Sequence, residues 1–346
     1  MARGQSQPAL DSARRGVYTG GVMSMIPWVV MAGASALTHV TNPIAHPGEP
    51  GYTDAPTEHF RVLFENDSAF NRDRNYTHGS RLDYVHDFKG TPHAFGLSLT
   101  QNIYTPEKHT RHSVKNQHPY AGYLALGGAY LYRGEQVGCS TEFQLGTTGK
   151  PSLAKDAQYM IHSAGNMEQW DGWGDQIRAE LTIQLSSRQD YRLPWLETQT
   201  AGGWQTDGLF FTRENAGTFS MLAGAGFSFR VGRNLPDNMR VNGNQAANFG
   251  AGLIRSGRYN PAESSWFLVL QGELDYVARD LTIDGGVFHK FRGTCSRTPW
   301  QFEGQAGLGV SKDGIDYFAG ALFRTRGYRT QDKNTLMGTF SITWNW

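Results

Sequence analysis

The sequence of 346 residues predicts an all-β fold, a transmembrane antiparallel β-barrel of about twelve strands with long extracellular loops. The last stretch, LMGTFSITWNW, alternates apolar and polar residues, with Phe340, Ile342, Trp344 and Trp346 on one face. A soluble edge strand ending in two exposed tryptophans would promote aggregation, whereas a barrel places them in an aromatic girdle. No stretch of about 20 apolar residues occurs in the body of the chain, which argues against a helical membrane protein.

Similar alternation recurs along the chain, and the resulting number of strands is even, as bacterial barrels require. The predicted strands lie near 58–67, 77–88, 93–103, 120–133, 137–147, 175–188, 195–211, 218–232, 264–277, 299–311, 315–327 and 335–346. The connections at 89–92, 134–136, 189–194 and 312–314 are short, as periplasmic turns should be, and those at 104–119, 148–174 and 278–298 are long, as outer loops should be. The connection 233–263 breaks this rule, because it is long and falls on the periplasmic side.

The N-terminus indicates export from the cytoplasm. Arg14 and Arg15 precede an apolar stretch at 22–37, and Ala34-Ser35-Ala36 fits a cleavage site. We therefore interpret 1–36 as a signal peptide, 37–57 as a flexible lead-in and 58–346 as a barrel of the Gram-negative outer membrane. An uncleaved anchor helix is the alternative for the first segment.

Composition limits the partners and the covalent cross-links. The net charge of +1 argues against a nucleic-acid partner. Of the two cysteines, Cys139 follows a predicted periplasmic turn, whereas Cys295 lies in a predicted outer connection. We therefore expect them to be too far apart for a disulfide.

The hairpin FENDSAFNRDRNYTHGSRLDY, residues 64–84, gathers more polar groups at its tip than a solvated turn needs. The predicted topology places this tip at the outer rim, together with the loops 104–119 and 148–174. Asn66, Asp67, Thr77 and, further along the chain, Glu168 offer the hard oxygen ligands that calcium prefers.

Two outer loops carry further candidate residues. Gln158 and His162 are four residues apart and share a face if this piece is helical. A histidine can take a proton from water near neutral pH, although an exposed loop histidine is the plainer interpretation of His162. Three basic residues of the second outer loop suit lipid phosphates, or else merely a solvated loop. They are Lys108, Arg111 and Lys115.

The stretches ENDSAFNRDRNYTHG, TQNIYTPEK, HPYAGY and AQYMIHSAGNMEQWDGWGDQI resemble, in order and spacing, the outer-membrane lipid A 3'-O-deacylases of the LpxR type. The resemblance covers roughly residues 60–180 and implies a hydrolase that removes the 3'-linked acyloxyacyl chain of lipid A with a divalent cation, for which Ca²⁺ is expected. It assigns catalytic roles by position to Asn66, Thr77, Gln158 and His162, with His162 as general base. Asp67 and Glu168 match its cation ligands, with Asp171 an alternative to Glu168, and its basic position falls on Lys108 or Arg111.

The sequence therefore predicts a monomeric, membrane-embedded hydrolase that acts on lipopolysaccharide of the outer leaflet. In this hypothesis His162, positioned by Gln158, activates water, a cation stabilises the developing oxyanion, and basic residues hold the phosphates of the lipid. The alternatives are an outer-membrane phospholipase A with the same machinery and a non-enzymatic porin or adhesin barrel.

Overall fold

The computed structural model describes residues 56–70, 74–108, 112, 114–239, 242–255, 257, 259–260, 263–288 and 295–346. The predicted signal peptide lies outside these residues, and so does the predicted lead-in up to residue 55. Within the described ranges, no helix has the length and apolar character needed to cross a membrane.

Antiparallel strands dominate the described part of the chain. In chain order the elements are β1 (Glu58–Asn66), β2 (Asn75–Asp87), β3 (His93–Thr105), β4 (Ala121–Tyr132), β5 (Val137–Thr148), α1 (Ala154–Ala164), β6 (Leu181–Arg192), β7 (Thr198–Gln199), β8 (Trp204–Gly217), β9 (Ser220–Arg233), β10 (Asn238–Met239), β11 (Ile254–Arg255), β12 (Ser265–Asp280), α2 (Leu281–Asp284), β13 (Trp300–Lys312), β14 (Ile315–Arg324) and β15 (Thr335–Asn345). Single 3-10 turns occur at Asp67–Phe70, Lys150–Ser152, Asp171–Asp175 and Pro194–Leu196.

The twelve long strands of this described region close into one barrel, as the sequence predicts. Each long strand pairs with the next long strand along the chain, and β1 pairs with β15 in the register Val62↔Ile342. The strands β6 and β8 pair directly in the register Leu185↔Ala216, so the two-residue strand β7 is only an appendage of β8.

Two of the predicted strand positions are wrong. The sixth strand was expected at 175–188 but is Leu181–Arg192, because residues 171–175 form a 3-10 turn that delays its start. The strand expected at 195–211 is Trp204–Gly217, because a 3-10 turn and β7 occupy the residues before it. The periplasmic connection between them is consequently longer than predicted.

The wall has an apolar outer face and a polar inner face. On β5, Phe143 and Leu145 are exposed while Glu142 and Gln144 between them are buried, as alternation along a strand requires. Aromatic pairs mark both edges of the apolar belt, with Trp204 against Trp266 at the periplasmic end and Tyr276 against Trp300 at the outer end.

Paired charges fill the interior between the strands. Arginine–carboxylate pairs join Arg61 to Asp83, Arg81 to Glu142, Arg230 to Asp207 and Arg324 to Glu303. Removing one partner of such a buried pair typically costs about 3–5 kcal/mol, because the other charge is left uncompensated. Cys139 and Cys295, both in the described region, are free cysteines, so the predicted absence of a disulfide between them is confirmed.

The connection between β9 and β12, residues 234–264, enters the barrel from the periplasmic end, and we call it the inner loop. Its Phe249, Ala251 and Leu253 pack with Val85 and Leu131 of the wall. Its backbone is held by wall side chains, for example Gly250 N–H donating to Asp83 Oδ1 at 2.8 Å. The connection that breaks the length rule is therefore an interior plug rather than a periplasmic turn.

A polar cavity of about 170 Å³ remains in the lumen on the outer side of the inner loop. Residues 244–246 of the inner loop line it, together with Tyr76, Arg213 and Asp275 of the wall. The inner loop thus reaches the outer half of the barrel.

Candidate active site

The helix α1 carries two of the predicted site residues in the third outer loop. It follows a 3-10 turn with Pro151 in its first turn, and Leu153, in the left-handed conformation at φ 56°, redirects the chain into the helix. The helix ends at Gly165, whose N–H donates to the carbonyl of Ile161 at 3.0 Å. The buried positions Ala154, Gln158 and His162 recur every four residues and therefore form one face.

This face packs against the outer, lipid-facing side of the barrel wall. On β3, Leu97 and Leu99 point outward, so Gln101 and Ile103 continue the same row toward the rim. Ile103 is fully buried in a cluster with Ala154 and the tryptophans of the same loop. Gln101 Nε2 donates to the carbonyl of Ser152 at 2.8 Å. The third outer loop therefore folds over the outside of β3 rather than over the lumen.

Gly122 of β4 allows this close approach. It shares an outward row with Leu124 and Leu126, and a Cβ built on it would lie 2.0 Å from Ser152 Oγ and 2.3 Å from Ala154 Cβ. A glycine at this position lets the start of α1 touch the wall.

The ring of His162 is fixed within this packed layer. Its Nδ1 donates to the backbone carbonyl of Glu168 at 2.6 Å, and its plane stands at 90° to that of Trp170, with the ring centroids 5.7 Å apart. Only 3 % of His162 is exposed. Because Nδ1 carries the hydrogen in this bond, Nε2 is the nitrogen that can accept a proton.

Gln158 is held by an indole rather than by the histidine. Trp173 Nε1 donates to Gln158 Oε1 at 2.6 Å, and Trp173 packs on Tyr120 of the wall with ring centroids 5.3 Å apart. Gln158 Nε2 is buried with no hydrogen-bond partner among the described residues. We expected Gln158 to position His162, but Gln158 is bonded to Trp173 instead. The side-chain amide of Gln158 therefore presents a buried N–H group.

Asn66 and Thr77 lie on the wall strands next to this layer. Asn66 Nδ2 donates to His78 Nδ1 at 3.4 Å, and Asn66 Oδ1 accepts the N–H of Ser68 at 2.7 Å. The Thr77 hydroxyl lies 2.5 Å from that of Thr105, which shares the outward row of Ile103. A bulge in β2 beside Thr77 lets the Thr77 side chain point outward, toward Thr105. The bulge is seen as a shift in the register with β3 between Tyr76 and His78.

The predicted cation ligands supply hard oxygen atoms. Asp67 is buried and begins the 3-10 turn after β1, with its Oδ2 accepting the N–H of Arg74 at 2.8 Å. The carboxylate of Glu168 is exposed. In the described ranges no three His, Cys, Asp or Glu side chains form a metal-binding group. Carboxylates such as those of Asp67 and Glu168, completed by neutral oxygen atoms or water, are the type of donor that Ca²⁺ prefers.

The second outer loop leaves its lysines accessible. Lys108 and Lys115 are exposed, and Arg111 lies outside the described residues. The loop returns to the wall through the buried His118, which stacks on Tyr104 with ring centroids 5.1 Å apart and contacts Thr282 Oγ1 at 3.1 Å. Burial lowers the pKa of His118, although the hydrogen bond to Pro119 and the charge of Asp280 act in the opposite direction.

Several residues that contribute to this arrangement were not predicted from the sequence to have a role. Trp170 and Trp173 stand in the motif around His162, and the repetition of tryptophan three residues apart was the available signal. Gln101, Thr105 and Gly122 gave no signal, because only the packed structure brings them to α1. The described contacts join Gln158, His162 and the backbone of Glu168 in one layer and place Asn66 and Thr77 on the adjoining wall.

Comparison with known proteins finds a family model that covers most of this chain. The family model for the outer membrane protein LpxR matches residues 29–346. The structure of LpxR from Salmonella typhimurium is 17 % identical, with a TM-score of 0.70 over 83 % of this chain and 100 % of that chain.

More distant barrels also match. The β domain of the Bordetella autotransporter BrkA is 10 % identical over 85 % of this chain and 99 % of that chain, with a TM-score of 0.41. The KdgM porin is 8 % identical over 83 % of this chain and 99 % of that chain, with a TM-score of 0.36. A search of curated proteins found no match.

Proposed function

Because the chain belongs to the LpxR family of outer membrane proteins, we propose that it is a lipid A 3'-O-deacylase that hydrolyses the ester of the 3'-acyloxyacyl chain. The observation that carries the proposal is the position of the face with Gln158 and His162, which packs on the lipid-facing side of the wall at the outer rim. A lipid of the outer leaflet would meet the edge of this packed layer without leaving the membrane.

The surroundings of α1 suit a substrate with acyl chains and phosphates. Leu153, directly before α1, and Met160, on α1, have 53 % and 67 % of their surfaces accessible, and Leu126 and Leu145 are exposed on the wall strands β4 and β5. Acyl chains gain free energy by covering such apolar surface. The exposed lysines of the second outer loop supply positive charge for phosphate groups.

In the proposed mechanism, His162 takes a proton from water through Nε2. The bond from Nδ1 to the Glu168 carbonyl keeps the ring in the tautomer that can do so. The resulting hydroxide attacks the ester carbonyl, and the tetrahedral intermediate then breaks its bond to the 3'-oxygen of lipid A, which leaves as an alcohol after taking the proton back from His162 Nε2. The Nε2–H group of Gln158 has no partner among the described residues and is held in place by Trp173, so it can donate to the oxygen on which charge develops.

Asp67 and Glu168 would hold a divalent cation, expected to be Ca²⁺, with Asn66 and Thr77 as neutral oxygen donors nearby. When bound, the cation supplies positive charge beside the ester. Lys108, Lys115 and, outside the described residues, Arg111 would bind the phosphates of lipopolysaccharide. One chain provides every group, so we propose that the monomer is active.

Mass spectrometry of lipid A after incubation with the purified barrel tests the proposal. We expect loss of the mass of the 3'-acyloxyacyl group, and no loss when EDTA is present. Lysophospholipid from added glycerophospholipid, with lipid A unchanged, would instead favour the phospholipase alternative. A porin needs an open lumen, whereas the inner loop occupies this one, so the observed interior gives no support to that alternative.

A further inference from the structure

One residue of the inner loop contacts three wall strands from inside the barrel, two through its side chain and one through its backbone. Asn244 Nδ2 donates to Tyr76 OH of β2 at 3.1 Å and to Asn102 Oδ1 of β3 at 2.8 Å. The backbone N–H of Asn244 donates to Glu65 Oε1 of β1 at 2.9 Å, and Tyr76 OH donates to Glu65 Oε2 at 2.8 Å. Asn244 is therefore the point at which these three strands are tied together in the lumen.

The tied residues lie directly behind the proposed site. Glu65 precedes Asn66 and Asp67, and Tyr76 precedes Thr77. Asn102 stands between Gln101 and Ile103, whose side chains meet the third outer loop. Consecutive residues of a strand point to opposite faces, so a shift of the inner residue also shifts its outward neighbour.

The local backbone is adapted to these contacts. The bulge beside Thr77 turns Tyr76 into the lumen although His78, two residues later, faces outward. Gly79, opposite Glu65, leaves room for the cluster, since a Cβ there would lie 1.8 Å from Tyr76 OH and 2.6 Å from Asn244 Nδ2. The bulge beside Thr77 and the glycine at position 79 thus both make room for the hydrogen bonds of Asn244.

We propose that Asn244 is a positioning residue for the active site: from inside the barrel it sets the separation of the strands that carry Asn66, Asp67 and Thr77 on the other side of the wall. This inference rests on the proposed deacylase function. It gives the inner loop a role in the reaction beyond closing the lumen.

The test compares two asparagines of the inner loop. Asn244→Ala removes the bonds to Tyr76 and Asn102, and we expect kcat for lipid A deacylation to fall about 10- to 100-fold with little change in KM, because a misplacement of about 1 Å costs up to about 100-fold. Asn238→Ala removes a similar bond, to Asp316 Oδ2 at 3.0 Å near the periplasmic end, and should leave both constants unchanged. Equal kcat values for the two variants would overturn the proposal.

Two further measurements separate positioning from folding and from the proposed reaction. Tyr76→Phe should also lower kcat, and the loss in the double variant should be smaller than the product of the two single losses, because both variants remove the bond between Asn244 and Tyr76. Losses that multiply fully would contradict this. Hydrogen exchange of residues 64–80 should accelerate in Asn244→Ala but not in Asn238→Ala. If wild type does not deacylate lipid A, the proposed function fails, while the exchange rates still decide whether Asn244 holds the strands.

Discussion

The Nδ1 atom of His162 lies 2.6 Å from the backbone carbonyl oxygen of Glu168, six residues further along the same loop. A backbone carbonyl can only accept, so the hydrogen lies on Nδ1, and Nε2 is the nitrogen that carries the lone pair in the neutral ring. The turn after α1 thus selects the tautomer of His162, which the helix carries.

Replacing His162 should remove the proposed general base without unfolding the barrel. We expect His162→Ala to lower kcat for lipid A deacylation by about 100- to 10,000-fold, the usual contribution of a positioned base. Mass spectrometry of lipid A over time measures the rate. His86→Ala is the matched control, because His86 is half-exposed at the periplasmic end and bonded to Glu58. An unchanged rate in a folded His162 variant would remove this residue from the mechanism.

Variants of Gln158 and Trp173 should distinguish the hydrogen bond that Gln158 donates to the substrate from the bond by which Trp173 holds Gln158 in place. Gln158→Ala removes the buried N–H group, so kcat should fall about 100- to 1000-fold, as when one oxyanion donor is lost. Trp173→Phe retains a ring on Tyr120 but removes the bond to Gln158 Oε1. One bond is worth about 1 kcal/mol, so the expected loss is about 10-fold or less. The rates of the two variants, measured in parallel, check this order, and the reverse order would contradict it.

Alternation along the chain predicted the wall well because a barrel strand has one lipid-facing and one polar face. The prediction failed at β6, where Ile177 continues the apolar pattern but packs on Ala121 and Leu281 before the strand begins. Periodicity does not distinguish an extended segment that packs on a loop from one that is paired in a sheet.

The site was less accessible to sequence reasoning than the wall. The spacing of Gln158 and His162 indicated a shared helical face, and α1 provides it. That this face lies on the outside of the wall depends on contacts with Ile103 and Gly122, which are distant in sequence. The inner loop was unpredictable for another reason, since a polar segment suits a polar lumen and solvent equally well.

Binding of the proposed cation should depend on Asp67, the buried carboxylate at the tip of the hairpin 64–84. Asp67→Asn keeps the size of the side chain and can still accept the Arg74 N–H through its amide oxygen. It lowers the negative charge available to a divalent cation, so the Ca²⁺ concentration for half-maximal deacylation should rise at least about 10-fold. Calcium titrations of activity after EDTA treatment measure this. Asp313→Asn, in the exposed periplasmic turn, is the control, and equal calcium dependence of both variants would exclude Asp67 as a ligand.

A side chain at Gly122 should displace α1 while leaving the barrel closed. The Cβ of Gly122→Ala would meet Ser152 and Ala154 at distances that real contacts do not reach, so the start of the helix must move off the wall. Gly128→Ala is a matched control, because Gly128 lies in the same strand and a Cβ there has nothing within 4 Å. We expect both variants to show the heat-modifiable gel mobility of a folded barrel.

Only the Gly122 variant should lose activity, by about 100-fold if the helix moves by about 1 Å. Gly122→Val should lose more, because its branched side chain pushes further into the same contact. This graded response follows from placing His162 on a helix that rests on the outer face of the wall. If Gly122→Val deacylated lipid A at the wild-type rate, the catalytic face could not be the one that packs on β3 and β4.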